Sequence, residues 1–226
     1  MSSVAIIPAR GGSKRIPKKN IKPFAGKPMI AHSIETALKS DLFDQVVVST
    51  DSEEVAAVAT KWGAEVPFMR PKDLANDTAG TDEVFLHALE WLCKNGGNYD
   101  TACLLYATAP FIQIKFLKDG IKILKQHKTT SAFSVTTFPF PIFRGLKINQ
   151  EVKLKMLWPE HRMTRSQDLP ETYHDAGQFY WVDIERFFQV PDLYADAAPV
   201  IIPRKFVQDI DTPEDWERAE LMWKVL

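Results

Sequence analysis

The chain has 226 residues, 45% of them hydrophobic and 25% charged, with a formal net charge of −1. That size suits one domain with a full core plus an arm and leaves two independent domains cramped; the composition excludes disorder. Near-neutrality gives no general attraction to nucleic acid or to an anionic membrane, so any anion site must be local. The N-terminal segment has no basic-then-apolar leader pattern, and no run nears the roughly eighteen apolar residues of a membrane span. Cys93 and Cys103 sit in apparent core elements, so a cytoplasmic protein with reduced thiols is expected.

Val4 to Ala9 is an unbroken apolar run, the pattern of a parallel strand buried on both faces. The loop after it, Arg10-Gly11-Gly12-Ser13-Lys14-Arg15-Ile16-Pro17-Lys18-Lys19-Asn20, holds five cationic side chains, two adjacent glycines and a serine. Ligands of open α/β sheets bind outside the carboxyl ends of the strands, and such a loop suits polyphosphate through charge-assisted bonds and close backbone approach. Neither the Walker nor the dinucleotide-binding glycine spacing occurs, which argues against ATPases and dehydrogenases. Composition alone fits a solvated basic turn as well. Pro28 then opens an amphipathic helix through Met29, Ile30, Ile34, Ala37 and Leu38, and Gln45 to Thr50 reads as a second buried strand. Asp51 and Glu54 have capping-box spacing ahead of a helix that stops at Gly63. Residues 66–80, broken by Pro67 and Pro71, form a loop over the sheet. A helix from Asp82 to Lys94, a strand from Ala102 to Ala107, a helix from Lys115 to Gln126 and a strand from Ser131 to Thr136 continue the alternation. It predicts a Rossmann-like α/β domain with a mostly parallel, twisted sheet.

Between Phe138 and His174 helix signals thin out and prolines, aromatics and basic residues crowd together, which predicts an inserted arm over about 138–175 of a single 1–226 domain. Regular structure resumes at Gln178 to Val182, then at Val200 to Pro203, and ends in a helix from Pro213. Thr212 as N-cap, Pro213 at the first helical position and Asp215 three after the cap form a helix start that needs no function. Asp209 and Asp211, two apart in extended chain, point to one face, with Ile210 on the other. Two such carboxylates can hold a magnesium ion that also bridges phosphates; equally, they can favour the positive end of the helix. His32 and His87 lack any metal-ligand spacing and read as core or surface residues, and His174-Asp175 has no nucleophile elbow to serve.

The segment Ile6 to Asn20 resembles the signature of the acylneuraminate cytidylyltransferase family, and Arg70-Pro71-Lys72-Asp73-Leu74-Ala75-Asn76-Asp77-Thr78 resembles that family's Arg-Pro-x-x-Leu-Ala-x-Asp-Thr segment. The resemblance implies a nucleotidyltransferase domain whose arm makes a homodimer. It also implies a reaction: with magnesium, CMP passes from CTP to an acidic nine-carbon 2-keto sugar and pyrophosphate is released. It places Ala9, Arg10, Gly11, Gly12, Ser13, Arg15, Lys19, Asn20, Arg70 and Thr81 at CTP, with Asn20 and Arg70 near the base. Arg10, Lys19 and the metal on Asp209 and Asp211 would carry the catalysis. Taken alone, Asp77 and Thr81 also read as turn and cap residues. Tyr106-Ala107-Thr108-Ala109-Pro110 departs from the Gln-Pro-Thr-Ser-Pro of sialic acid members, whose glutamine contacts the sugar, and this argues against N-acetylneuraminic acid.

The segments Phe138 to Ile142, Trp158 to His161, Thr164 to Asp168 and Tyr173 to Trp181 are similar to the family's pseudaminic acid branch. The resemblance then implies sugar contacts from Asp77, Tyr106, Arg165, Gln167, His174, Asp175 and Gln178. Arg165 suits the sugar carboxylate, and His174, Asp175 and Gln178 suit orienting hydrogen bonds. The arm's aromatics fit a sugar platform or a subunit contact. Alternatives are a sialic, legionaminic or ketodeoxyoctonate enzyme, the last typically with Pro at the position of Asn20, or a non-catalytic nucleotide-sugar sensor.

Overall fold

A computed structural model describes residues 2–76 and 78–226, so the expected sugar contact at Asp77 lies outside the described residues. The chain begins with β1 (Ser3–Pro8), a short ladder of β2 (Pro23–Phe24) and β3 (Lys27–Pro28), α1 (Met29–Lys39), β4 (Gln45–Ser49) and α2 (Glu53–Lys61). It continues through α3 (Thr81–Lys94), β5 (Thr101–Leu105), α4 (Ile114–His127) and β6 (Ser131–Thr137). An excursion carries the hairpin β7 (Leu146–Ile148) and β8 (Leu154–Met156). The last elements are β9 (Tyr173–Asp183), α5 (Ile184–Gln189), β10 (Ala197–Ile201) and α6 (Pro213–Val225).

Six strands form one sheet in the order β10-β6-β9-β5-β1-β4. Every pairing in it is parallel except those of β9, which runs antiparallel to both β5 and β6. The sheet is covered on both sides, which explains why β1 and β5 read as continuous apolar runs. Ala5, Ile7, Cys103 and Leu105 pack with Ile30 and Ile34 of α1 and Leu117 of α4. Val4, Ile6, Ala102 and Leu104 pack with Phe85 and Leu89 of α3 and Phe187 of α5. Full burial of each large aliphatic or aromatic side chain contributes about 1.5–3 kcal/mol. Gly120 lets α4 approach closely: a Cβ there would sit 2.7 Å from the Trp181 ring. From β1 the chain moves to β4 on one side and later to β5 on the other, so the strand order reverses around β1. Such a reversal opens a crevice at the carboxyl ends of the strands.

Several boundaries differ from expectation. The excursion covers 138–172 rather than 138–175, because Tyr173 already pairs with Thr137, His174 with Thr136 and Asp175 with Val135 in the main sheet. Phe138 N–H donates to the Thr172 carbonyl at 3.2 Å and closes its base. The N-cap of α2 is Ser52, whose Oγ accepts from Val55 N–H, and not Asp51. Pro28 ends β3 and stands one residue before α1 instead of inside it. The six-residue α5 was not expected, since its buried Ile184 and Phe187 are too few to show a period. Thr212, Pro213 and Asp215 form the expected capping box at the start of α6. Among the described residues no helix is long and apolar enough to cross a membrane.

Candidate active site

A cavity of about 550 Å³ opens beyond the carboxyl ends of β1 and β5. Its walls are Pro8 and the loop after β1 (Arg10, Ser13, Lys14, Arg15, Ile16, Lys19, Asn20), Arg70, Ala79 to Thr81 with Val84, Tyr106 to Thr108, and Asp211. One apolar residue explains how the basic loop meets the Asp-x-Asp segment. Ile16 is buried in a cluster with Phe24, Met29, Phe111, Trp216 and Ala219, and the same cluster holds Ile210. Anchoring Ile16 and Ile210 in one core sets their polar neighbours face to face. Lys19 Nζ donates to the Ile210 carbonyl at 2.6 Å and to Asp211 Oδ1 at 3.1 Å, and Arg15 Nη1 donates to Asp211 Oδ2 at 3.2 Å.

The loop is fastened at both ends. Asn20 Nδ2 donates to the Arg10 carbonyl at 2.9 Å, and Gly11 N–H donates to Asp51 Oδ1 at 2.9 Å. Gly11 is required by packing, since a Cβ there would lie 2.8 Å from Ser52 Cβ. Arg10 Nη1 donates to the Asn76 carbonyl at 2.9 Å and ties the loop before α3 to the cavity rim. Arg70 is buried and rigid: Nε donates to Ser49 Oγ at 3.1 Å, Nη2 to the Ser49 carbonyl and Nη1 to the Leu74 carbonyl at 3.4 Å. Burial, aided by the charge of Arg10 and opposed by Asp51, lowers its pKa to about 10, which leaves it cationic at neutral pH.

Asp209 has part of its surface open to solvent, yet its pKa is raised, first by burial on its protein side and then by the charge of Asp211, with Lys19 opposing. Repulsion from a neighbouring carboxylate favours a cation beside the pair. Among the described residues no three His, Cys, Asp or Glu side chains gather into a metal site, so these two carboxylates form a pair only.

The cavity therefore collects Arg10, Ser13, Arg15, Lys19, Asn20, Arg70 and Thr81 of the expected nucleotide set, whereas Ala9, Gly11 and Gly12 are not among its lining residues; of the expected metal pair Asp211 lines it and Asp209 does not. Tyr106 lines it as well. Because β9 is antiparallel, its first residues lie at the same edge of the sheet as the carboxyl ends of β5 and β6, which brings His174, Asp175 and Gln178 to the flank of the site. None of these three lines the cavity. The His174 ring packs on Phe138 at 4.8 Å, and its Nδ1 lies 2.8 Å from the Asp175 carbonyl. Gln178 Nε2 donates to the Phe206 carbonyl at 2.5 Å, while its buried Oε1 has no protein partner. Arg165 stays on the arm, paired with Asp168 through Nε at 2.7 Å and Nη2 at 3.3 Å. Gln167 lines a separate depression of about 300 Å³ at the arm's root. Expectation missed Thr108 in the lining and Asp51 behind the loop; a threonine or an aspartate after a strand carries no signal of its own. Lys14 also lines the cavity and went unassigned although it stood within the basic loop.

A cytidylyltransferase family profile matches residues 4–219. The pseudaminic acid cytidylyltransferase of Campylobacter jejuni is 43% identical over 226 residues, which cover 100% of this chain and 97% of that protein. The CMP-N,N'-diacetyllegionaminic acid synthase of Legionella pneumophila is 31% identical over 100% of this chain and 97% of its own. The solved structure of a CMP:2-keto-3-deoxy-manno-octonic acid synthetase complexed with CTP superposes over 100% of both chains with a TM-score of 0.72 at 19% identity, a likeness of fold. A profile match over nearly the whole chain, with a full-length relative at 43% identity, means that the chain belongs to the cytidylyltransferase family.

Proposed function

We propose that this protein joins CMP from CTP to an acidic nine-carbon 2-keto sugar, releasing pyrophosphate, and that the sugar is pseudaminic acid. The cavity carries the reaction: a fastened loop of cations faces Asp211 across the crevice beside β1. The full-length similarity to the Campylobacter jejuni pseudaminic acid enzyme, together with Tyr106 at the wall, supports the sugar.

In this reading the anomeric hydroxyl oxygen attacks the α-phosphorus of CTP, the bond to the bridging oxygen of pyrophosphate breaks, and the hydroxyl proton is lost to solvent. Arg10, Ser13, Arg15 and Lys19 hold the phosphate oxygens, Asn20 and Arg70 face the base, and Thr81 closes the rim. Lys19 is the best positioned of these cations, because its ammonium is already pinned on the Ile210 carbonyl. Arg15 and Lys19 exchange Asp211 for phosphate as the nucleotide enters. Catalysis is then positioning and preorganised charge, with no covalent enzyme intermediate. Asp209 and Asp211 would hold a magnesium ion: burial first and the charge of Asp211 second raise the Asp209 pKa, and a divalent cation offsets both. When bound there, magnesium supplies charge stabilisation at the phosphate oxygens.

The arm suits a homodimer contact. In the β7–β8 hairpin Leu146 opposes Met156 and Ile148 opposes Leu154, while Lys147 opposes Lys155, so one face is apolar. Leu146, Ile148 and Leu154 are exposed in the single chain. Pairing of two arms would cover that face and carry Arg165 and Gln167 towards the partner's cavity. The reading places the enzyme in the cytoplasm, where Cys93 and Cys103 stay free thiols. Pyrophosphate release with CTP, magnesium and a panel of nonulosonic acids tests it. Pseudaminic acid turns over fastest; preference for legionaminic or sialic acid overturns the sugar, and CTP binding without turnover on any acid overturns the enzyme.

A further inference from the structure

Tyr106 forms part of the cavity wall, and its backbone is fixed by its own N–H, which donates to the Gln178 carbonyl at 2.9 Å, and by Ser33 Oγ, which donates to the Tyr106 carbonyl at 2.8 Å. Its ring rests against Tyr180, with centroids 5.6 Å apart and planes at 42°. It also rests on Gly177, where a Cβ would come within 3.8 Å of it. Tyr180 is buried, and its hydroxyl donates to Asp175 Oδ2. Tyr194, from the loop between α5 and β10, donates to the same oxygen at 2.5 Å, and Gly177 N–H donates to Oδ1 at 2.7 Å. Burial, with Asp175 contributing, raises the pKa of both phenols, so both remain protonated donors. Phe133 closes the cluster, stacked on Tyr180 at 5.2 Å and edge-on to Tyr194 at 4.9 Å.

One carboxylate thus ties the start of β9 to the α5–β10 loop behind the wall, and Tyr106, just past β5, joins them only through its ring contact with Tyr180. A partly buried charge costs desolvation that three donors offset, and an apolar residue would pack as well without it. What the carboxylate adds is direction, since it fixes both phenols and therefore the plane against which Tyr106 lies. We infer that Asp175 is a positioning residue for the acid sugar, acting through Tyr180 to set the Tyr106 ring rather than touching the sugar itself. The inference rests on the reading that the sugar meets the Tyr106 wall.

Steady-state kinetics on the full chain with CTP and pseudaminic acid, across Asp175→Ala, Asp175→Asn, Tyr180→Phe and the double variant Asp175→Ala/Tyr180→Phe, test it. Loss of the anchoring bonds raises the KM for the sugar about tenfold in Asp175→Ala and in Tyr180→Phe, and leaves the KM for CTP within about twofold. Asp175→Asn keeps an acceptor for the phenols, though its amide group then faces the Gly177 N–H, and restores part of the loss. The double variant is no worse than about twofold beyond either single one, because both act on one link. Multiplying effects in the double variant mean direct contact of Asp175 with the sugar and overturn the proposal. So does an equal rise in the KM for CTP, or a lowered melting temperature with both KM values unchanged. Fluorine NMR of 3-fluorotyrosine-labelled protein reads the link without substrate. The Tyr106 signal, assigned by its loss in Tyr106→Phe, shifts in Asp175→Ala and returns part of the way in Asp175→Asn; an unmoved signal overturns the proposal. If the wild-type protein turns over no acid sugar, the functional reading fails while the fluorine measurement still decides the link.

Discussion

Gly11→Ala tests how the phosphate loop is seated. An alanine Cβ at this position would stand 2.8 Å from Ser52 Cβ and 3.2 Å from Ser52 Oγ. Carbon atoms in good contact lie about 3.5–4.0 Å apart, so the overlap is on the order of 1 Å. Ser52 Cβ is no flexible tip: the residue caps α2 and its Oγ is held towards Val55 N–H, so either the helix start or the loop must move. Overpacking of this kind costs about 1–3 kcal/mol. In a chain of this size each kcal/mol lowers the melting temperature by about 2–4 °C, which gives a fall of roughly 2–12 °C. Movement of the loop stretches the Gly11–Asp51 bond and carries Arg10 and Ser13 away from the cavity. CTP affinity falls with it, by about tenfold for 1.4 kcal/mol. Gly12→Ala is the matched control for stability, because no protein atom lies within 4 Å of a Cβ there. Thermal melts and calorimetric CTP titrations of the two variants measure both effects. If Gly11→Ala and Gly12→Ala are indistinguishable in melting temperature, or Gly11→Ala binds CTP as the wild type does, the steric account of the loop is wrong.

Asp209→Asn should lower the rate by on the order of a hundredfold or more without lowering the melting temperature at neutral pH. The folded protein raises the Asp209 pKa, so the stability tied to that proton is present below the ordinary carboxylate range and is lost as pH rises through the raised value. The variant lacks this dependence; a lower melting temperature with activity retained would instead favour a purely helix-capping role. His32, buried beside Trp223 with Nε2 2.9 Å from the Phe24 carbonyl, has its pKa lowered chiefly by burial. Its contribution to stability is complete above the ordinary value of 6.5 and drains away as pH falls below it towards the lowered folded value. Melts between neutral and mildly acidic pH should therefore be steeper for the wild type than for His32→Gln, and equal slopes would exclude His32 as the source. Ile148→Asp with Leu154→Asp places charge on the exposed hairpin face and should convert a dimer into a monomer by light scattering behind size exclusion. A monomeric wild-type protein would refute the dimer contact.

Local pattern carried much of this molecule. The apolar run of β1, the cations and glycines that follow it, and the Thr212, Pro213 and Asp215 capping signal are each written within a few neighbouring residues; the strand and the cap form as read, and four of the five cations line the cavity while the two glycines do not. The alternation of strands and helices was legible for the same reason, since a doubly covered sheet demands continuous apolar strands and amphipathic helices. Short elements were not: α5 offers two buried residues, too few for a period. Nor was the strand direction of β9, because an apolar run looks alike in either direction.

What the sequence by itself determined was the chemistry available to the site: cations beside glycines after a buried strand, and two carboxylates two residues apart. Only the tertiary structure decided which of these groups meet. Asp211 faces Lys19 and Arg15 across separations of 192 and 196 residues because Ile16 and Ile210 are drawn into one apolar cluster. Asp175 serves tyrosines instead of standing in the cavity because antiparallel β9 turns its first residues behind Tyr106, and Arg165 stays with Asp168 on an arm that leaves the sheet. Contacts of this kind arise from burying distant side chains together, and a single chain's local spacing holds no record of which distant partners share a core.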